Sequence, residues 1–259
     1  MGLSASERRS EILQKLNHLP TVRVSELRRT FDVSEVSIRR DLEHLEGLGL
    51  LKRIHGGAAQ ARGSVASSPL AQRMDEHRHQ KERIGRAGAA MIRRNDRIIL
   101  DSGTTPLQVA RFIPNNLLTS GNLTIISQFL PLVREIGHYP GVNLILVGGI
   151  YMPEYELVAG PMAIQNLKGL HVDKIFVGTD GITFSQGITT ANILEAELAR
   201  TMVRSSSEVI VVSDSSKIGV KGLVSISPIS EIHMLITDQD APADFVDELR
   251  RNGVEVILV

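Results

Sequence analysis

The 259-residue chain contains no cysteine. Disulfides, thiol nucleophiles and thiolate metal sites are thereby excluded. Its eight histidines are scattered, and none stands in an HExxH or similar ligand spacing. His77 and His79 fall in a polar stretch that reads as a solvated face. No metal and no cofactor is expected. Charge bias is absent too: 29 basic and 29 acidic side chains cancel, so total charge does not announce nucleic acid. No apolar run approaches the roughly 20 residues that cross a bilayer. The polar start Met1-Gly2-Leu3-Ser4-Ala5-Ser6 does not read as a secretory leader, and its loose fit to a myristoylation pattern reads as coincidence. A cytoplasmic protein with no membrane partner is expected. Internal repeats and low-complexity segments are likewise absent.

What is present is a sizeable apolar fraction, 42%, in a length that suits one large domain or two unequal ones. Residues 1–60 carry a net charge of +2 and the remainder −2, so any case for DNA rests on placement. Ile12, Leu13 and Leu16 mark a first helix over 6–18, and Leu27 a second over Ser25–Phe31. Asp32-Val33 forms a turn, and Ser34 caps a third helix. Leu50–Ala58 reads as a two-stranded wing. Residues 61–78 have the small, polar, Pro-punctuated composition of a linker. From 79 to 259, apolar strands alternate with amphipathic helices, which predicts a doubly wound, mostly parallel α/β sheet. Ligands in such sheets bind beyond the C-terminal strand ends.

Projected at about 100° per residue, the third helix places Ile38, Leu42 and Leu45 on one face. Val36, Ser37, Arg39 and Arg40 fall on the other, near the end that a helix-turn-helix inserts into the major groove. Arginine pairs two donors with guanine, serine serves base or phosphate, and an outward Val36 fits a thymine methyl. Lys52, Arg53 and His55 of the wing are offered to phosphates. With Ser34, these eight residues form the expected DNA-binding set.

The second informative segment is Ile98-Ile99-Leu100-Asp101-Ser102-Gly103-Thr104-Thr105-Pro106. Here a strand ends in a small-residue loop that opens a helix, exposing N–H groups and hydroxyls to an anion. Further loops fall at successive strand ends: Ser127-Gln128, Gly148-Gly149, Gly178–Gly181 and Ser213–Lys217. They argue for one shared crevice, in which Lys217 balances a phosphate and Asp180 accepts from sugar hydroxyls.

V-S-E-V-S-I-R-R-D-L at 33–42 and L-L-K-R-I-H-G-G-A at 50–58 resemble the DeoR-type bacterial transcription regulators. L-D-S-G-T-T, L-V-G-G, F-V-G-T-D-G-I and S-D-S-S-K resemble the sensor motifs of that family, from about Arg8 to Val259. The resemblance implies a winged helix-turn-helix on operator DNA. It also implies a sensor like the ribose-5-phosphate isomerase fold that takes phosphorylated sugars, with Asp101, Ser102, Gly103, Thr104 and Thr105 on the phosphate and Asp180 and Lys217 in the same pocket. Ser127-Gln128 stands where many members have Thr-Asn. Gln128 keeps the amide on a longer stem. The segment 241–259 resembles the branch linked to amino-sugar and hexitol catabolism.

A ligand-released repressor acting as a homodimer or homotetramer is therefore expected. The first alternative is a sugar-phosphate isomerase or deaminase with an appended DNA-binding module. Isomerase relatives carry a Lys-Gly pair where this chain reads Ser185-Gln186-Gly187-Ile188, so no catalytic set is assigned. The second alternative, a constitutive architectural protein, leaves the receptor half unexplained.

Overall fold

The computed structural model describes residues 4–19, 21–47, 51–60, 69–119 and 122–259. Leu50, the segment 61–68 of the expected linker, and the start Met1-Gly2-Leu3 lie outside them. The chain divides into two compact units, Met1–Asp75 and Glu76–Val259.

The first unit holds α1 (Ala5–His18), β1 (Thr21–Arg23), α2 (Val24–Phe31), α3 (Glu35–Gly47), β2 (Leu51–Ile54), β3 (Gly57–Gln60) and α4 (Pro69–Asp75). Ser4 and Glu7 form a capping box on α1. Ile12, Leu16, Leu27, Ile38, Leu42 and Leu45 close one core with Val22 and Leu51. The wing gains a strand that the sequence did not announce: β1 pairs with β3 in a three-stranded antiparallel sheet ordered β1-β3-β2. Three residues are too few for a periodic signal. This pairing also explains the second glycine of the hairpin. A Cβ on Gly57 would stand 2.1 Å from the Val22 carbonyl oxygen. Gly57→Val is expected to separate β1 from β3 and cost about 2–4 kcal/mol. A thermal midpoint of this unit unchanged from wild type would refute that. Within the expected linker, part of the chain is helical. Residues 69–75 are helical because Leu70 is buried and Met74 half-buried one turn later, and a further helix begins at Arg78.

The second unit runs α5 (Arg78–Ala90), β4 (Arg97–Leu100), α6 (Thr104–Arg111), α7 (Asn115–Thr119), β5 (Leu123–Ser127), α8 (Leu130–Ile136) and β6 (Val142–Leu146). There follow β7 (Ile150–Met152), β8 (Leu157–Ala159), α9 (Pro161–Leu167), β9 (Val172–Val177), β10 (Gly181–Thr183), β11 (Gly187–Thr190) and α10 (Ile193–Arg204). The last elements are β12 (Ser206–Val212), β13 (Val224–Ser227), β14 (Met234–Thr237), α11 (Ala243–Arg251) and β15 (Glu255–Leu258). Seven strands form one parallel sheet ordered β15-β14-β12-β9-β4-β5-β6. The inner strands are apolar without alternation, as Ile98-Ile99-Leu100 and Ile175-Phe176-Val177 show, because both faces are covered. From β4 the chain winds outward to β6, then returns beside β4 as β9 and winds the other way. The topological switch point therefore lies between the ends of β4 and β9.

Two antiparallel additions were not foreseen, the hairpin β7-β8 and a small sheet β10-β11-β13. Their strands are three or four residues long, too short to carry a periodic signal. The polar stretch Thr119–Asn122 precedes β5, and its residues 120 and 121 are outside the described residues.

Candidate functional site

In the first unit, Ser34 ends the α2–α3 turn, and its Oγ accepts from the Ser37 N–H at 3.2 Å, capping α3. The two hydroxyls also share a hydrogen bond of 2.9 Å. Ile38, Leu42 and Leu45 face the core, so the opposite side is turned outward. Val36 is 60% exposed, and Arg39 and Arg40 are exposed beside it. Lys52, Arg53 and His55 are exposed on the wing. Their availability differs. Arg39 lies 3.6 Å from Glu35, and Arg53 lies 3.8 Å from Glu43 and 4.0 Å from Glu46 on α3. Arg53 thus holds the wing against the recognition helix, whereas Arg40 has no protein partner among the described residues.

In the second unit, Asp101 follows β4 directly and is 3% exposed at the switch point. Its backbone N–H continues the ladder to the Phe176 carbonyl of β9. Its carboxylate accepts from Gln128 Nε2 at 2.7 Å and from the Gly178 N–H at 3.3 Å. The ends of β4, β5 and β9 are thereby tied at one acid. Burial, reinforced by the nearby Glu195 charge, pushes the Asp101 carboxyl up to about 7, against those two donors and the Ser102 backbone N–H, which favour the charged form. Ser102 is buried, and its hydroxyl donates to Glu195 Oε1 at 2.8 Å. Gly103, at φ 110°, turns the chain into α6, whose first residues Thr104 and Thr105 are buried. Thr190 Oγ1 lies 3.0 Å from both Asp180 Oδ2 and Glu195 Oε2. The Ala191 N–H donates to the same Asp180 oxygen.

The structure therefore brings Asp101, Ser102, Gln128, Asp180 and the α6 entry into one connected group. Lys217 lies on a neighbouring loop whose Gly219 N–H donates to Ile182. The Lys217 ammonium has no partner among the described residues. Ser127 differs from expectation: its side chain is fully buried and accepts from the Phe129 N–H, so it shapes a turn. Gly148 and Gly149 stand at the end of β6, two strands from β4, where Asn166 donates to the Gly148 carbonyl. The hydrogen bonds of the group around Asp101 do not reach them.

Residues 8–62 match the DeoR-like helix-turn-helix domain, and residues 76–239 match the DeoR C-terminal sensor domain. The chain belongs to the DeoR family. A putative aga operon transcriptional repressor of Escherichia coli O157:H7 is 34% identical over 98% of this chain and 94% of its own length. The transcriptional repressor AccR of Agrobacterium fabrum is also 34% identical, over 91% and 90%. Among solved structures, ribose 5-phosphate isomerase A of Methanocaldococcus jannaschii aligns with 57% of this chain and 56% of its own at 16% identity and a TM-score of 0.42. This DeoR-family chain is a DNA-binding transcription regulator and not an enzyme. Among the described residues, no helix is long and apolar enough to cross a membrane.

Two members of the sensor group escaped the sequence reading, Glu195 and Thr190. Glu195 stands three residues after Asn192, whose side chain accepts from the Leu194 and Glu195 N–H groups at the start of α10. That spacing reads as an ordinary capping pattern. Only the fold shows its carboxylate reaching Ser102, 93 residues earlier in the chain.

Proposed function

We propose that this regulator represses a carbohydrate-catabolic operon and releases its operator when a phosphorylated sugar enters the crevice at Asp101. The observation that carries the reading is the group of carboxylates linked by hydrogen bonds to the β4–α6 loop. Acceptors converge from Asp101, Asp180 and Glu195, suited to sugar hydroxyls. The entry of α6 and Lys217, whose ammonium has no partner among the described residues, supply donors and positive charge for a phosphate. Repressors among the full-length relatives support the sign, and the resemblance of 241–259 favours an amino-sugar or hexitol phosphate. The protein acts in the cytoplasm as a homodimer or homotetramer, which places one winged helix on each operator half-site. Ser34, Val36, Ser37, Arg39, Arg40, Lys52, Arg53 and His55 face the DNA. The effector acts by binding the off-operator geometry more tightly.

The test is binding to DNA upstream of the protein's own gene neighbourhood, with and without a panel of sugar phosphates. One compound should release the DNA. Lys217→Gln should keep operator affinity and require about tenfold more of that compound, the loss of roughly one charge-assisted hydrogen bond. Release that is equally sensitive in the variant would move the phosphate elsewhere, and indifference to every phosphosugar would remove the sensor reading.

A further inference from the structure

Two concave grooves flank the first turn of α3. One, of about 500 Å³, lies between this helix and the wing and is lined by Arg23, Ser25, Arg39 and His55 among others. The other, of about 700 Å³, lies at the α2–α3 turn and is lined by Arg28, Arg29 and Ser34 among others. Glu35 belongs to both, so the two grooves meet at the first turn of α3, one bounded by the wing and the other by the α2–α3 turn. That turn is the end of a recognition helix that enters the major groove.

The walls of a major groove are two phosphate strands about 12 Å apart. A helix inserted by its first turn meets one strand on each side. Arg23, Arg28 and Arg29 are exposed, and none of their guanidiniums has a hydrogen-bond or ion-pair partner among the described residues. Their neighbours differ: Arg8 and Arg9 are bound to Asp41, and Arg39 and Arg53 to carboxylates of α3. The three guanidiniums, lining grooves beside the recognition helix, are thus available to phosphates.

We infer that Arg23 in the wing groove and Arg28 with Arg29 in the turn groove grip the two phosphate strands on either side of the recognition helix. They set its depth and register and read no bases. The inference rests on the DNA-binding role of this helix and adds a clamp outside the helix itself.

The experiment is the salt dependence of binding by the full-length protein to a random-sequence 30-base-pair duplex and to the operator fragment. Arg23→Gln should lower the slope of log K against log salt by about 0.9, and Arg28→Gln/Arg29→Gln by about 1.8. The affinity loss should be the same on both duplexes. Arg83→Gln, an exposed arginine of α5, serves as the control for net charge and should leave the slope unchanged. Circular dichroism melts confirm that each variant is folded. An unchanged slope for either groove overturns the clamp while the DNA-binding reading stands. So does a loss confined to the operator fragment, which would mean base contacts. Binding of the wild type with no salt dependence would remove the DNA-binding reading and the clamp together.

Discussion

Asp41→Ala is expected to unfold the N-terminal unit and abolish DNA binding while the sensor unit stays folded. Asp41 lies in the middle of the recognition helix and is buried. Its two oxygens are held by Arg8 Nε at 2.6 Å and Arg9 Nε at 2.8 Å, both on α1. Arg8 is itself buried, so removing the carboxylate takes away a charge that offsets the desolvation of its guanidinium. Breaking such a pair costs about 3–5 kcal/mol. A core of this size rarely supplies more than about 3–5 kcal/mol in total. The expected outcome is a lost low-temperature transition in calorimetry and no shift of the operator fragment. Replacing the ion pair by apolar groups of similar volume, Arg8→Met with Asp41→Leu, should recover most of the stability, because the desolvation of both charges is then avoided. An Asp41→Ala protein that melts like wild type would show that α1 and α3 are held by apolar packing alone.

The second large effect is a dependence of sensor stability on pH that runs opposite to the usual carboxylate pattern. The Asp101 carboxyl is raised in the folded state from 3.8 to about 7, by burial and by Glu195. A group whose folded value is raised contributes stability that is complete below its unfolded value and is lost as pH rises through the folded value. The window is therefore about pH 4 to 7, with stability falling as pH rises and flat above it. The full change is on the order of 4 kcal/mol. At roughly 2–4 °C per kcal/mol for a unit of this size, the midpoint should drop by about 10 °C. Asp173 and Asp238, whose carboxyls are held below their ordinary value, act the other way only at more acid pH. Asp101→Asn removes the titrating group, so its midpoint should stay level from pH 5 to 8. Parallel profiles for wild type and variant would mean that Asp101 does not carry the proton. The same proton bears on function: an effector hydroxyl donates to Asp101 most readily once the carboxylate is ionised, so effector sensitivity should rise as pH passes through about 7.

The resolution of the RRD triplet at Arg39–Asp41 shows where sequence stops. Periodicity alone turned Arg39 and Arg40 outward, since Ile38, Leu42 and Leu45 must be inside. Asp41, at the margin of that apolar face, is a different case. Its two partners lie more than thirty residues earlier, where no spacing rule connects them. The Gly56-Gly57 pair behaves similarly. The sequence marks a tight hairpin, and only the pairing of β1 with β3 explains why the second position admits no side chain.

What the sequence determined by itself was local and periodic. The helices, the long central strands, the capped recognition helix and the small-residue loop after β4 follow from apolar spacing and turn chemistry within about ten residues. The alternation of strands and helices set the class of the second unit, and the family motifs set its role. The tertiary structure decided what depends on distant residues meeting. It placed β9 beside β4, so that Gly178 donates to Asp101 across 77 positions, and it brought Glu195 to Ser102 across 93. It also built three- and four-residue strands that have no stable existence outside a sheet. The physical reason is the same in each case. A buried acid, an ion pair or a short strand is stabilised by partners that folding delivers, and the chain order carries no record of which ones they will be.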